Sequence, residues 1–203
     1  MSYCLNEVAE ALRKRGFTAT VHKNADEVKQ RIMKDIGGAS VGFGGSMTVR
    51  GMEVYESLRE NGNEVYWHWF HPDAIREISE KARLADYYIT SVNALVKDGR
   101  MVSVDGRGNR VAATFHGPKK VLLVVGKNKI VETLDEGMDR IKNYVRPLNA
   151  KRLKRDTPCT KNGKCVDCMS PQRICCITLI LEYLPNGGDV DIHVYLVDQE
   201  LGF

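Results

Sequence analysis

Residues 40–63 read SVGFGGSMTVRGMEVYESLRENGN. A short apolar strand runs through glycines into a segment whose Val49, Met52, Tyr55 and Leu58 recur at helical spacing until Gly62 stops it. A strand feeding a helix through a glycine turn is half of a parallel strand–helix–strand unit, so this stretch points to an α/β sheet. Ser46 stands where it caps the helix. Gly44 and Gly45 let backbone N–H groups approach an anion beside the helix start. No Gly-Lys-Ser/Thr follows, and the full Gly-x-Gly-x-x-Gly spacing is missing, which excludes both common nucleotide signatures.

The alternation extends in both directions. Upstream, Leu5, Val8, Ala9 and Leu12 form a helical stripe, Gly16 ends it, and Phe17–His22 reads as a strand. Asn24 with Glu27 makes a capping box ahead of Val28, Ile32 and Ile36. Downstream, EVYWHW is a strand, and Pro72 opens a helix carrying Ile75, Ile78 and Ala82. YYITSVNAL and KVLLVVG read as buried strands, with a hairpin between them turning on Asp98-Gly99. ETLDEGMDRIKNYVRP is a helix that Pro147 ends, and ITLILEYL and DIHVYLVDQE form an antiparallel pair around PNGGDV. The expected fold is α/β: a mostly parallel sheet with helices on both faces, a C-terminal antiparallel pair and a Cys-rich loop. Residues 1–203 read as one domain, with the Cys-rich insertion at about 157–176.

Composition narrows the function. No apolar run approaches the roughly 20 residues needed to cross a bilayer. The net charge of +4 is modest and basic residues alternate with acidic ones, which argues against a nucleic-acid partner. The denser patch Lys151–Arg155 has no interleaved aromatic residues and reads as a solvated helix end. The N-terminal stripe is not the pattern of a secretory signal, so the expected compartment is the cytoplasm, where thiols stay reduced.

In open α/β sheets the loops leaving the strand C-termini form the ligand crevice. Besides the glycine loop through Thr48, those loops hold Ser91-Val92-Asn93, the run Asp105-Gly106-Arg107-Gly108-Asn109-Arg110, and Lys129. Arg110 offers a fork for a carboxylate or phosphate, and Asp105 either acts as a base or holds Arg110. A turn whose Asp and Asn cap the next helix accounts for the same residues. The histidines have no metal-ligand spacing.

Five of the six cysteines lie between Pro158 and Cys176. Cys165-x-x-Cys168 is a short chelate loop, with Cys159 before it and Cys175 after, so four thiolates can converge on zinc or an iron–sulfur cluster. Free or redox-paired thiols are the competing reading.

The segments VGFGGSMTVRG, TSVNALVKDGRMVSVDGRGNRVAA, GPKKVLLVVGKNKIV, PLNAKRL, PCTKNGKCVDCMSPQRIC and HVYLVDQELGF together resemble the LUD-domain family of lactate-utilisation proteins, from about Val41 to Phe203. The resemblance implies a fold like that of ribose-phosphate isomerase, glucosamine-phosphate deaminase and the CoA transferases. It also implies a role beside iron–sulfur oxidoreductase subunits in oxidising L-lactate to pyruvate, and it carries no assigned reaction. Gly44, Gly45, Ser46, Thr48, Asn93, Asp105, Gly106, Asn109, Arg110 and Lys129 match the family's polar positions. Cys159, Cys165, Cys168 and Cys175 match its cysteine-bearing branch. Leu95, Val96 and Lys97 depart from the Ile-Thr-Glu often found there, and Cys176 replaces a polar residue and is left out of the metal shell. The expected function is binding of a small anionic metabolite (phosphate, carboxylate or CoA-like) in organic-acid oxidation, with a homo-oligomer among the expected partners. One alternative is an isomerase or acyl-transfer enzyme with Asp105 as acid/base and Arg110 and Lys129 stabilising charge. The other is a scaffold with a structural metal.

Overall fold

The computed structural model describes residues 3–187 and 190–203. In chain order the elements are α1 (Leu5–Lys14), β1 (Thr18–His22), α2 (Ala25–Asp35), β2 (Ser40–Phe43), α3 (Met47–Arg50), α4 (Val54–Glu60), β3 (Glu64–Tyr66), α5 (Ile75–Arg83), β4 (Tyr87–Thr90), β5 (Ala94–Val96) and β6 (Met101–Asp105). There follow α6 (Asn109–Phe115), β7 (Lys120–Gly126), β8 (Ile130–Val131), α7 (Leu134–Arg140), α8 (Arg146–Arg152), α9 (Pro158–Asn162), β9 (Ile177–Leu181) and β10 (Asp191–Val197). Short 3-10 turns occupy 68–70, 72–74 and 127–129.

Six strands form a parallel sheet in the order β1-β10-β7-β4-β2-β3. Strand side chains alternate between faces, and the sequence uses this at its centre. Val121, Leu123 and Val125 of β7 and Ile192, Val194 and Leu196 of β10 enter one core with Val8, Leu12 and Ala82. Leu122, Val124, Tyr195 and Val197 enter the other, with Val28, Ile32, Val49 and Leu58. Helices therefore cover both faces, as the alternation of elements predicts.

The remaining strands make a mixed sheet, β8-β5-β6-β9, in which β5 and β6 are the expected hairpin. Its Leu95, Met101 and Ile130 join the first core, while Ala94, Val96, Val102 and Val131 pack on Ile141 and Val145.

Three expectations need correction. The C-terminal antiparallel pair does not form: β9 pairs antiparallel with β6, and β10 runs parallel between β1 and β7. The run Ile192–Val197 is buried throughout, as suits the middle of a covered parallel sheet, whereas β9 is mostly exposed on its edge. Gly188 and Asp189 of the expected turn lie outside the described residues. The helix does not end at Pro147: helical backbone continues from Leu134 to Arg152, and the wider π-helical turn over Ile141–Val145 lies just before Pro147, which has no N–H to donate. Finally, YYITSVNAL is two strands, since the chain leaves the parallel sheet at Thr90 and enters the mixed sheet at Ala94. Among the described residues no helix is long and apolar enough to cross a membrane.

Candidate functional site

The glycine loop leaves β2 at the C-terminal end of the parallel sheet. A Cβ at Gly44 would stand 2.5 Å from Thr90 Oγ1 and 2.9 Å from Arg110 Cγ, so the missing side chain lets the loop lie against β4 and the Arg110 stem. At Gly45 it would stand 3.3 Å from the Trp69 indole. Gly44 is thus required by what packs on it, whereas a Cβ at Gly45 would need Trp69 to move by only a few tenths of an ångström. Ser46 caps α3 as expected, its Oγ accepting from the Val49 N–H at 3.3 Å.

Thr48, the second residue of α3, donates to the Leu201 carbonyl at 3.0 Å and accepts a hydrogen bond from Lys129 Nζ at 2.7 Å. Lys129, just beyond β7, is 3% exposed. Its ammonium also reaches Ser91 Oγ at 3.0 Å and the Val92 carbonyl at 3.2 Å. Among the described residues no carboxylate pairs with it. Burial, with Arg140 and Arg110 adding like-charge repulsion, brings its pKa down to about 7.

Arg110 is the frame of the neighbouring loops. It donates to the Ser91 carbonyl at 3.0 Å, the Val104 carbonyl at 2.6 Å, Asn93 Oδ1 at 3.1 Å and Ser103 Oγ at 3.4 Å. Its Nε lies 3.7 Å from Asp105 Oδ2, and both side chains are nearly buried. Asp105 in turn accepts the N–H groups of Arg107, Gly108 and Val111 and so shapes the turn into α6. Asn93 Oδ1 also accepts from the Val104 N–H at 2.8 Å. The guanidinium donors that the sequence offers to a ligand are therefore occupied within the fold.

Above this frame opens a cleft of about 820 Å³. Every expected crevice residue except Gly44 lines it: Gly45, Ser46, Thr48, Asn93, Asp105, Gly106, Asn109, Arg110 and Lys129. Seven arginines and Lys129 contribute to its walls, against Asp105 as the acidic side chain among the described residues. Arg152 lies over the Trp69 ring at 4.7 Å, and Trp69 stacks on Trp67, which stacks on Phe43. His68 also reaches the cleft, its pKa lowered by burial and by Arg107.

The sequence reading missed several of these groups. It assigned Arg152 and Arg155 to a solvated helix end, and Arg50, Arg146 and Trp69 carried no motif, whereas Ser91 lies in one of the expected crevice loops. The usable signal was the Lys151–Arg155 run, whose partner Trp69 lies more than 80 positions away and is brought near only by the fold.

The LUD-domain family model matches residues 5–197. The chain belongs to the LUD-domain family, and in general terms it is a lactate-utilisation-type protein. The match begins at Leu5, so α1, β1 and α2 belong to the LUD domain, whereas the sequence resemblance was placed only from about Val41. A crystal structure of a DUF162 family protein from Deinococcus radiodurans is similar over 95% of each chain, with a TM-score of 0.54 and 17% identity, a likeness of fold. None of the curated proteins matches the sequence.

Of the cysteines of this LUD domain, Cys175 lines the cleft. Cys159, Cys165, Cys168 and Cys175 line one cavity of about 20 Å³ together with Arg146 and Arg173. All six cysteines are free thiols, and Cys4 and Cys176 are exposed. Cys165 Sγ accepts from the Asp167 N–H at 3.4 Å and from Arg146 Nη1 at 3.6 Å. Arg173 ties the segment down through the carbonyls of Cys168 and Cys175 and the Asp167 carboxylate. Among the described residues no group of three or more His, Cys, Asp or Glu side chains is already arranged to hold an ion. The four thiols are neighbours around a void, not a formed ligand shell.

Proposed function

We propose that this LUD domain binds a small anionic metabolite, bearing a phosphate, carboxylate or CoA-like group, in the cleft at the strand C-termini. In this reading it serves L-lactate or related organic-acid oxidation beside iron–sulfur oxidoreductase subunits. The carrying observation is the charge of the cleft: of the seven arginines on its walls Arg50, Arg110 and Arg173 are paired with Glu56, Asp105 and Asp167, while Arg107, Arg146, Arg152, Arg155 and the buried Lys129 have no ion-pair partner among the described residues. Such a site focuses positive potential on whatever enters, and like charges held close together gain most from an anion. The volume suits a ligand larger than inorganic phosphate.

The residues divide the work. Arg110, Asp105 and Asn93 hold the loops in place. Lys129 and the cleft arginines whose donors face the void meet the ligand. Trp69, backed by two further rings, offers a flat apolar wall beside Arg152 for an adenine or an acyl arm.

A second reading, a catalyst of isomerisation or acyl transfer, is favoured by one observation: Lys129 is poised to gain or lose a proton near pH 7. Asp105, whose oxygens already accept three backbone N–H groups, is the weaker candidate for acid/base work.

Isothermal titration with pyrophosphate, coenzyme A, lactate and pyruvate tests the proposal. At least one should bind, more tightly at pH 6.5 than at pH 8.5, because protonated Lys129 favours the anion. If none binds at millimolar concentration at either pH, the anion reading fails.

A further inference from the structure

Four cysteine side chains line one void beside the cleft, with Arg146 and Arg173 among them. The spacing Cys159-x5-Cys165-x2-Cys168-x6-Cys175 brings together residues from α9, the loop after it and the strand-like approach to β9. Asp167 lies in the left-handed region at φ 49°, a conformation that a side chain other than glycine adopts at a cost. That backbone turn aims its N–H at Cys165 Sγ. Amide N–H groups directed at sulfur stabilise a thiolate more than a thiol, and they orient the ligand.

Charge supports the same assignment. A divalent ion held by four thiolates carries a net charge of −2, which needs cations nearby. Arg146 and Arg173 supply them, and Arg146 Nε is buried with no acceptor among the described residues, a donor that an anionic sulfur shell would satisfy.

The void between the four side chains, about 20 Å³, has room for one ion without being enlarged. We propose that Cys159, Cys165, Cys168 and Cys175 bind a single thiophilic divalent ion of the zinc type in a closed tetrahedral shell. The ion draws the sulfurs inward to about 2.3 Å and releases the thiol protons to solvent. Its role is to staple the segment from Thr157 to Cys176 against the cleft, where Arg173, Ile174 and Cys175 form part of the wall. The site does not depend on what the cleft binds.

The full chain, purified anaerobically under reducing conditions from zinc-supplemented cells, should retain one zinc per chain by elemental analysis. Replacement by cobalt(II) should give the intense d–d absorption of tetrahedral sulfur ligation. Serine at any one of the four positions should weaken retention by about tenfold or more, whereas Cys176→Ser and Cys4→Ser should not. If the serine variants fail to fold, the native protein still decides: two thiols should react with a thiol reagent while metal is bound, and all six once it is chelated. Protein that comes from the zinc-supplemented cells without metal, its six thiols all reacting before any chelator is added, would overturn the site. Equal metal loss in Cys176→Ser would overturn the ligand set, and stoichiometric iron with acid-labile sulfide would overturn the single ion.

Discussion

Replacing Lys129 by methionine tests the electrostatic centre of the cleft with little change of shape. The ammonium is buried, meets only neutral oxygens, and has a pKa near 7 in place of its ordinary value of 10.5. A difference of that size corresponds to a penalty on the order of 5 kcal/mol for keeping the charge in the fold. Below pH 7 the side chain is protonated in both folded and unfolded chains, and the fold bears the whole penalty. Between pH 7 and 10.5 the unfolded chain holds a proton that the folded one has released, so stability rises with pH by up to about 1.4 kcal/mol per unit. Above 10.5 both are neutral. Methionine removes the penalty and also three hydrogen bonds, but Thr48 still donates to the Leu201 carbonyl and Ser91 to the Val92 carbonyl. That loss is about 1–3 kcal/mol in total. Lys129→Met should therefore be more stable than the native protein by about 2–4 kcal/mol at pH 6, with the advantage gone near pH 9. Urea unfolding of both proteins across this range measures the gap, and groups that titrate alike in the two proteins cancel. A gap that stays constant from pH 6 to pH 9 would mean that Lys129 keeps its proton throughout, and the reasoning would be refuted. The same variant should bind the preferred anion more weakly at pH 6.5.

Arg110→Ala removes the guanidinium from four acceptors and from the Asp105 carboxylate, at a cost of about 3–5 kcal/mol, or on the order of 10 °C in melting temperature. An unchanged melting temperature with a lost anion response would instead place Arg110 among the ligand contacts. Gly44→Ala puts a methyl against Thr90 and the Arg110 stem, and should destabilise by about 1–3 kcal/mol; Gly45→Ala, which meets only the edge of Trp69, should cost less. Calorimetry of the pair checks the order, and an equal or inverted effect would show that the loop relaxes freely.

How far the sequence could be read follows from the range of the forces involved. Helical stripes and capping residues are local, and Asn24 and Ser46 cap the helices where their spacing places them. The Asp98-Gly99 hairpin is equally local, with Gly99 at φ 93°. Strand pairing is not local. DIHVYLV is compatible with any partner that accepts a strand buried on both faces, and its place between β1 and β7 depends on contacts about 70 and 170 positions away. The interruption at Pro147 was misread because a proline ends an ideal α-helix but not one that has just opened into a π-turn, and the packing of Ile141 and Val145 decides which occurs.

The candidate site divides along the same line. Glycines, an Asp-Gly-x-Gly-Asn-Arg run and a lysine after a buried strand can be recognised as crevice residues from their positions at strand ends, and all but Gly44 and Gly108 reach the cleft. Their individual roles depend on which donors are already occupied. Arg110 and Lys129 look alike as cations on loops, yet the first spends its guanidinium on four oxygens of its own fold, and the second is buried among three with a charge that nothing opposes. The difference reverses the expected effect of removing each: losing Arg110 exposes unsatisfied acceptors, and losing Lys129 relieves an unsatisfied charge. A cation that the empty fold holds at a cost is the one from which an incoming anion gains most. On this reasoning Lys129, more than Arg110 or Asp105, is the residue through which ligand binding and protonation are linked. Ligand should therefore raise the pKa of Lys129, and proton uptake on binding, measured by titration calorimetry in buffers of different ionisation enthalpy, should approach one proton at pH 8.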